Sequence, residues 1–300
     1  MKWLRGLERT RQGQERLATT QLVSVGDREA DIYELFAQAR DDGGRVKLLI
    51  RVQHKHRRLE GGSSLWEEML RQPVAGTAAV RIGRRGPRKE RTAPLEIRWA
   101  EVELKPSKGK ARLQPLRVRC ILAKELNAPS GVEPVEWMLL TTLPIQGLES
   151  AVEKLHWYAV RTLIEGFHRT LKSGCRIEKR QLLSAERLQR CLAIDMVVGW
   201  RLQYMSRLGR QHPEQPCTTV FSDEEWQPLY AVVQQTSQLP PTPPTLQTVI
   251  RMLASLGGFL GRKSDREPGT QTLWLGLQRL HDIITGWEAC RQLIQRTRGP

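Results

Sequence analysis

The chain has 300 residues, 39% hydrophobic and 27% charged, as expected of a globular protein large enough for one large or two ordinary domains. No run of about 18 apolar residues occurs, which argues against a membrane span, and the N-terminus carries no apolar signal segment, so a cytosolic protein is expected. The net charge of +16 excludes an acidic solvating chain and favours a polyanionic partner, with nucleic acid first and a nucleoid-associated location following from it.

In chain order, LVSV (22–25) is a short β-branched run that ends at Gly26-Asp27. READIYELFAQAR follows as a helix with Ala30, Tyr33 and Phe36 on one side, closed by the glycines of DDGG. VKLLIRV (46–52) is apolar without interruption, as a strand buried on both faces would be. Strand, helix, strand is a βαβ unit, so residues 1–52 read as α/β.

Residues 53–146 change character. AAVRIG, LEIRWAEVELK, LRVRCILAKE and EWMLLTT are β-rich runs separated by Gly/Pro turns, the pattern of an antiparallel insert. This stretch also concentrates the charge: Arg51 to Glu125 holds 19 Lys and Arg against 8 Glu and no Asp. Its basic segments do not read as amphipathic helices, which disfavours a membrane surface. Residues 147–210 are helical, including Ser184–Leu208 with Ser184 as its cap. In 211–300, LPPTPP breaks the chain, a helix starts at Thr245, and a last one runs near Thr272–Gln295. The five cysteines are scattered without a CxxC, and His54 and His56 lack a second ligand pair, so neither disulfides nor zinc are indicated.

The stretch YAVRTLIEGFHRTLK is the informative one. At about 100° per residue, Tyr158, Arg161, Glu165 and Lys172 fall in a strip about 60° wide, opposite Val160, Leu163, Ile164, Phe167 and Leu171. A solvated face with an Arg161–Glu165 pair is one reading of that strip. A surface that grips phosphates is the other. Asp27, where a strand gives way to a helix, is likewise either an N-cap or a metal ligand. The second role needs carboxylates converging from different elements on divalent ions about 3.5–4 Å apart.

GDREADIY (26–33) together with the spacing Y-x2-R-x3-E-x6-K resembles the insertion-sequence-four family of bacterial cut-and-paste transposases, and LLIRVQHKHR, EWMLLTT and LASLGGFLGRK are similar to further segments of it. The resemblance implies an RNase H-like catalytic domain, incomplete at its N-terminus, interrupted by the β-rich insert and followed by a helical C-terminal region that could dimerise. It implies DDE chemistry, the hydrolysis and strand transfer of transposon-end DNA with Mg²⁺ or Mn²⁺. Asp27 and Glu165 would be catalytic and metal-binding. Tyr158, Arg161, Lys172 and Arg51 would contact DNA, and Trp137 would stack on a flipped base, its alternative being a core Trp. The implied partners are double-stranded DNA, at the transposon ends and the target, and a second copy in the synaptic complex. Only Glu8 and Glu15 supply carboxylates before Asp27, so the family's first catalytic Asp has no counterpart. The chain is therefore expected to be a truncated transposase, inactive alone, or a non-catalytic DNA-binding or inhibitory remnant.

Overall fold

The structure, a computed structural model, describes residues 2–17, 19–41, 43–83, 91–106, 114–262 and 264–297, and divides into two compact units, Met1–Thr162 and Leu163–Pro300.

The first unit is a mixed α/β body around one six-stranded sheet. Its strands are β1 (Val23–Gly26), β2 (Lys47–Arg51), β3 (Gly76–Ile82), β4 (Arg91–Leu104), β5 (Leu116–Glu125) and β6 (Glu136–Thr141), in the order β1-β2-β6-β5-β4-β3. β1 and β2 are parallel, as a βαβ unit requires, and every other pair is antiparallel. The four strands expected between residues 53 and 146 all form. They extend the sheet of β1 and β2, because β6 pairs directly with β2 through Leu49–Thr141 and Ile50–Leu140.

Strand alternation sorts the core into two faces. On one, Leu48, Ile50, Cys120, Leu122, Met138 and Leu140 pack with the helices α1 (Lys2–Glu15), α2 (Tyr33–Asp41) and α3 (Leu65–Arg71). On the other, Leu49, Ile121, Ala123 and Leu139 pack with Ala151, Leu155 and Tyr158 of α4 (Leu148–Val160). Thus β2 is buried on both sides, as its uninterrupted apolar run implied. Helix α3 starts at Ser64, whose Oγ accepts from the Glu67 N–H while the Glu67 carboxylate accepts from the Ser64 N–H, a reciprocal cap.

The described residues of the second unit are helical. After α5 (Thr162–Arg169) come a wide turn at Thr170–Gly174, then α6 (Ala185–Gln211), α7 (Asp223–Gln234), α8 (Leu246–Leu256) and α9 (Thr270–Thr297). Ser184 and Thr245 cap α6 and α8 as expected, accepting from the Arg187 and Thr248 N–H groups. The core joins Leu202 and Met205 of α6 to Leu229, Val249, Leu253, Leu273 and Leu280. Between α8 and α9 the backbones nearly touch: a Cβ on Gly276 would lie 2.2 Å from the Leu253 carbonyl oxygen. No helix among the described residues is long and apolar enough to cross a membrane.

Candidate nucleic-acid interface

Strand β1 delivers Asp27 to the C-terminal end of the parallel pair. The chain then doubles back tightly, and only glycine fits at 26, where a Cβ would lie 2.5 Å from the Ala30 Cβ. Asp27 caps the short 3-10 turn Arg28–Ala30, its Oδ1 accepting from the Glu29 N–H at 3.1 Å. The cap reading is therefore met, and it occupies one carboxylate oxygen. The other, Oδ2, lies 3.6 Å from Nη1 of Arg161, with Asp27 38% and Arg161 20% exposed.

Arg161 reaches Asp27 from the C-terminal end of α4. Its guanidinium lies 6.0 Å from the centroid of the Tyr158 ring. Tyr158 in turn is buried, in edge-to-face contact with Trp137 at 5.1 Å. Trp137 packs partly buried on the same core cluster. Arg51, at the end of β2, donates to the Glu136 carbonyl at 3.2 Å, and Lys55 pairs with the Glu136 carboxylate. Asp27, Arg161, Tyr158, Trp137 and Arg51 thus all belong to the sheet and α4 of the first unit.

The expected continuous helix from Tyr158 to Lys172 is not formed. The α-helical pattern lapses at Arg161, where the N–H bonds to the Tyr158 carbonyl and Thr162 Oγ1 donates to the Ala159 carbonyl. A hydroxyl that competes for a carbonyl one turn back tightens the helix at that point. A single helical wheel therefore does not carry across the break. Tyr158, placed on the polar strip, is buried with Ala151 and Leu155, whereas Val160, Leu163 and Ile164, placed on the packed face, are exposed. Only Phe167 and Leu171 of that face join a core, the one of the second unit. In that unit Glu165 sits in α5, and Lys172 pairs with Glu178 at 2.8 Å in the turn after it.

Among the described residues no group of three or more His, Cys, Asp or Glu side chains could hold a metal ion. Within the first unit Asp27 faces an arginine, so these residues do not by themselves fit a two-ion site.

Asp31, one helical turn beyond Asp27, is the most engaged carboxylate nearby. Fully shielded, it pairs with Arg57 at 2.5 Å and accepts from the Gln53 and His54 N–H groups, fastening the loop after β2 to the turn after β1. The signal that could have revealed it is its place one turn beyond Asp27 in a buried segment. A cleft of 1460 Å³ opens beside it, lined by Tyr33, Lys55, Arg57, Arg58 and Lys105 among others. Most of its polar groups already have partners. The Tyr33 hydroxyl, for example, donates to the Gln114 carbonyl at 2.6 Å.

Much of the described basic block is also charge-matched. Arg91 pairs with Glu125, Arg98 with Glu96, and Arg117 and Arg119 with Glu101. More than half of the block's excess comes from Arg84, Arg85, Arg88, Lys89, Lys108, Lys110 and Arg112. These belong to the stretches Arg81–Arg91 and Lys105–Arg119, singled out by sequence for DNA binding, but fall outside the described residues.

Residues 197–296, from the middle of α6 through α9, match the family described as the transposase Tn5 dimerisation domain. That third of the chain carries a transposase dimerisation signature. It supports a Tn5-like transposase family for this protein and the formation of a homodimer.

Proposed function

We propose that the chain is a DDE-class transposase of the insertion-sequence-four type, with an RNase H-like first unit that holds double-stranded DNA and a helical second unit that pairs two copies. The observation that carries this reading is the dimerisation-domain match over residues 197–296. It falls where the sequence resemblance, carried mainly by residues upstream of the match, expects a dimerising region. The parallel β1–β2 pair with Asp27 at its end, and Arg161 beside that carboxylate, support the assignment of the first unit. In this descent Mg²⁺ or Mn²⁺ belongs to Asp27 and Glu165 together with a further acidic residue. Arg161, Tyr158, Trp137, Arg51 and Lys172 belong to the DNA.

The contact between Asp27 and Arg161 favours a second reading, in which this chain binds DNA without cutting it and acts on complexes of an active relative. The purified chain would be titrated with a 40-base-pair duplex at several salt concentrations, then incubated with supercoiled plasmid and Mg²⁺ or Mn²⁺. We expect affinity to fall steeply with salt and the plasmid to stay intact. Nicking that Glu165→Gln abolishes would establish the catalytic form. Binding indifferent to salt would remove the DNA interface altogether.

A further inference from the structure

The turn that follows α5 closes a hollow smaller than the cleft beside Asp31, and every residue around it belongs to the second unit. One wall is the segment 174–180, the other is the start of α9, and the space between them is 270 Å³. Contacts on two sides fix the segment in place. A Cβ on Gly174 would lie 3.8 Å from the Thr270 carbonyl carbon, and the Cys175 thiol donates to the Asp195 carbonyl of α6 at 3.9 Å. Charge and backbone both make the hollow a seat for an anion. Arg176, Lys179 and Arg180 line it. Arg180 is aimed by the shielded Asp195 carboxylate, 2.8 Å from Nη2, which leaves other N–H groups of its guanidinium to a ligand. Lys172 is taken up by Glu178, whereas among the described residues Arg176 and Lys179 have no carboxylate partner. Cys175 is right-handed (φ −74°, ψ −12°) and Arg176 left-handed (φ 54°, ψ 40°). That succession turns neighbouring N–H groups to one side, a backbone nest that receives anions. Glycine would sit at 176 more easily than arginine, so what the arginine adds there is its charge.

The facing wall has a different chemistry. Gln271, Trp274 and Gln278 recur at steps of three and four on α9, which sets them in one row. Trp274 is half-buried against the core of the unit, and both glutamines are exposed. An indole between two amides offers a ring to stack on, with donors and acceptors for the edge of a heterocycle. We propose that this hollow binds a nucleoside phosphate. The phosphate lies against Arg176, Lys179 and Arg180, and the base lies along Trp274 with the glutamines at its edge. The size agrees with that occupant. At 270 Å³ the hollow stands at the small end of ligand pockets, with room for one molecule of mononucleotide size and none for a duplex. The site is separate from the DNA interface of the first unit and does not rest on the transposase reading.

The test is a calorimetric titration of the full chain with the four ribonucleoside 5′-diphosphates, with inorganic phosphate and with adenosine. At least one diphosphate should bind with a Kd below about 0.1 mM. Inorganic phosphate and adenosine, each making only part of the contacts, should bind at least about tenfold more weakly. Arg176→Gly keeps the left-handed turn and removes only the charge, so the fold should hold while the affinity for the diphosphate drops about tenfold. Trp274→Leu should weaken the diphosphate and leave inorganic phosphate unchanged. Diphosphate binding untouched by both substitutions would place the ligand elsewhere and overturn the proposal, as would the absence of binding at about 1 mM of any diphosphate. Inorganic phosphate bound as tightly as every diphosphate would remove the nucleoside. A 5′-phosphorylated oligonucleotide that displaces the diphosphate about a hundredfold better than the free nucleotide does would assign the hollow to a DNA end, and that too overturns it.

Discussion

Asp27 and Arg161 come from opposite ends of the first unit's sequence, and their side chains face each other at 3.6 Å across the sheet end. Asp27 keeps one oxygen for its own turn and turns the other toward Arg161, and the pair is partly open to solvent. An exposed ion pair of this kind is weak, worth up to about 1 kcal/mol, so a phosphate can compete with the carboxylate for the guanidinium.

That competition fixes the sign of two substitutions. Asp27→Asn keeps a good turn cap but removes the competing charge, so duplex affinity should rise while the melting temperature stays level. Arg161→Ala should weaken binding to all sequences alike and make the slope of log K against log salt shallower by about 0.9. Fluorescence anisotropy of a labelled duplex reads both. An unchanged or lower affinity for Asp27→Asn would show that Arg161 does not serve the DNA.

The buried pair of Asp31 and Arg57 should be structural. Asp31→Ala strands a shielded guanidinium and two backbone N–H groups, which should cost about 3–5 kcal/mol. Urea denaturation followed by the tryptophans of the first unit checks it. A loss below about 1 kcal/mol would mean that the loop after β2 is held by something else.

Gly276→Ala tests the closest helix approach. Alanine is the better helix former by about 1 kcal/mol, yet its Cβ meets the Leu253 carbonyl oxygen at 2.2 Å. Forcing that contact should outweigh the gain and lower stability by about 1–3 kcal/mol. A higher melting temperature would show that α8 and α9 slide apart easily.

Acid should act through Glu125. Hydrogen bonding and charge from Arg91 hold its carboxyl below the usual range, against the opposing effect of burial. A carboxylate lowered in the folded state stabilises above its unfolded pKa and loses that contribution as pH falls through the folded value. Glu125→Gln should therefore destabilise at pH 7 and progressively less below pH of about 4. Melting temperatures of the two proteins across that range should converge. Parallel curves would assign the acid sensitivity elsewhere.

Thiol chemistry should divide the cysteines. Burial pushes Cys175 and Cys217 up to about 11 and Cys120 higher still, while Cys290 is exposed. A maleimide at pH 7.5 should modify Cys290 fastest and leave Cys120 unmodified until the chain unfolds. Mapping the labelled peptides decides it.

The strands of the first unit were legible because period-two alternation and Gly/Pro turns are local signals, and the six runs of the sheet all emerged from them. The parallel pairing of β1 with β2 followed from the intervening helix. The junction of β6 with β2 was not legible, since nothing in either segment names its neighbour. The site divides in the same way. Asp27 at a strand end was readable, and its proximity to Arg161 follows from the same resemblance that singled out both. The exposure of Val160 and the burial of Tyr158 were not readable from a wheel begun at Tyr158, because the packed face of α4 is set upstream by Ala151 and Leu155. The structural part played by Asp31 was not legible, because it lies in partners more than 20 residues away.

The central place of β6 also carries a consequence in time. Arg51 and Leu139 are sheet neighbours separated by roughly 90 residues of chain, a non-local pairing of the kind that slows folding. As the polypeptide leaves the ribosome, β2 can pair with β1 at once, but its other edge stays open until β6 has been made. At about 5–20 residues per second that interval lasts about 5–20 s. Throughout it Leu48, Leu49 and Ile50 form an apolar strand with one bare edge. The nascent chain is thus exposed to wrong partners late in synthesis, and its yield in a cell should respond to elongation rate and to chaperone supply.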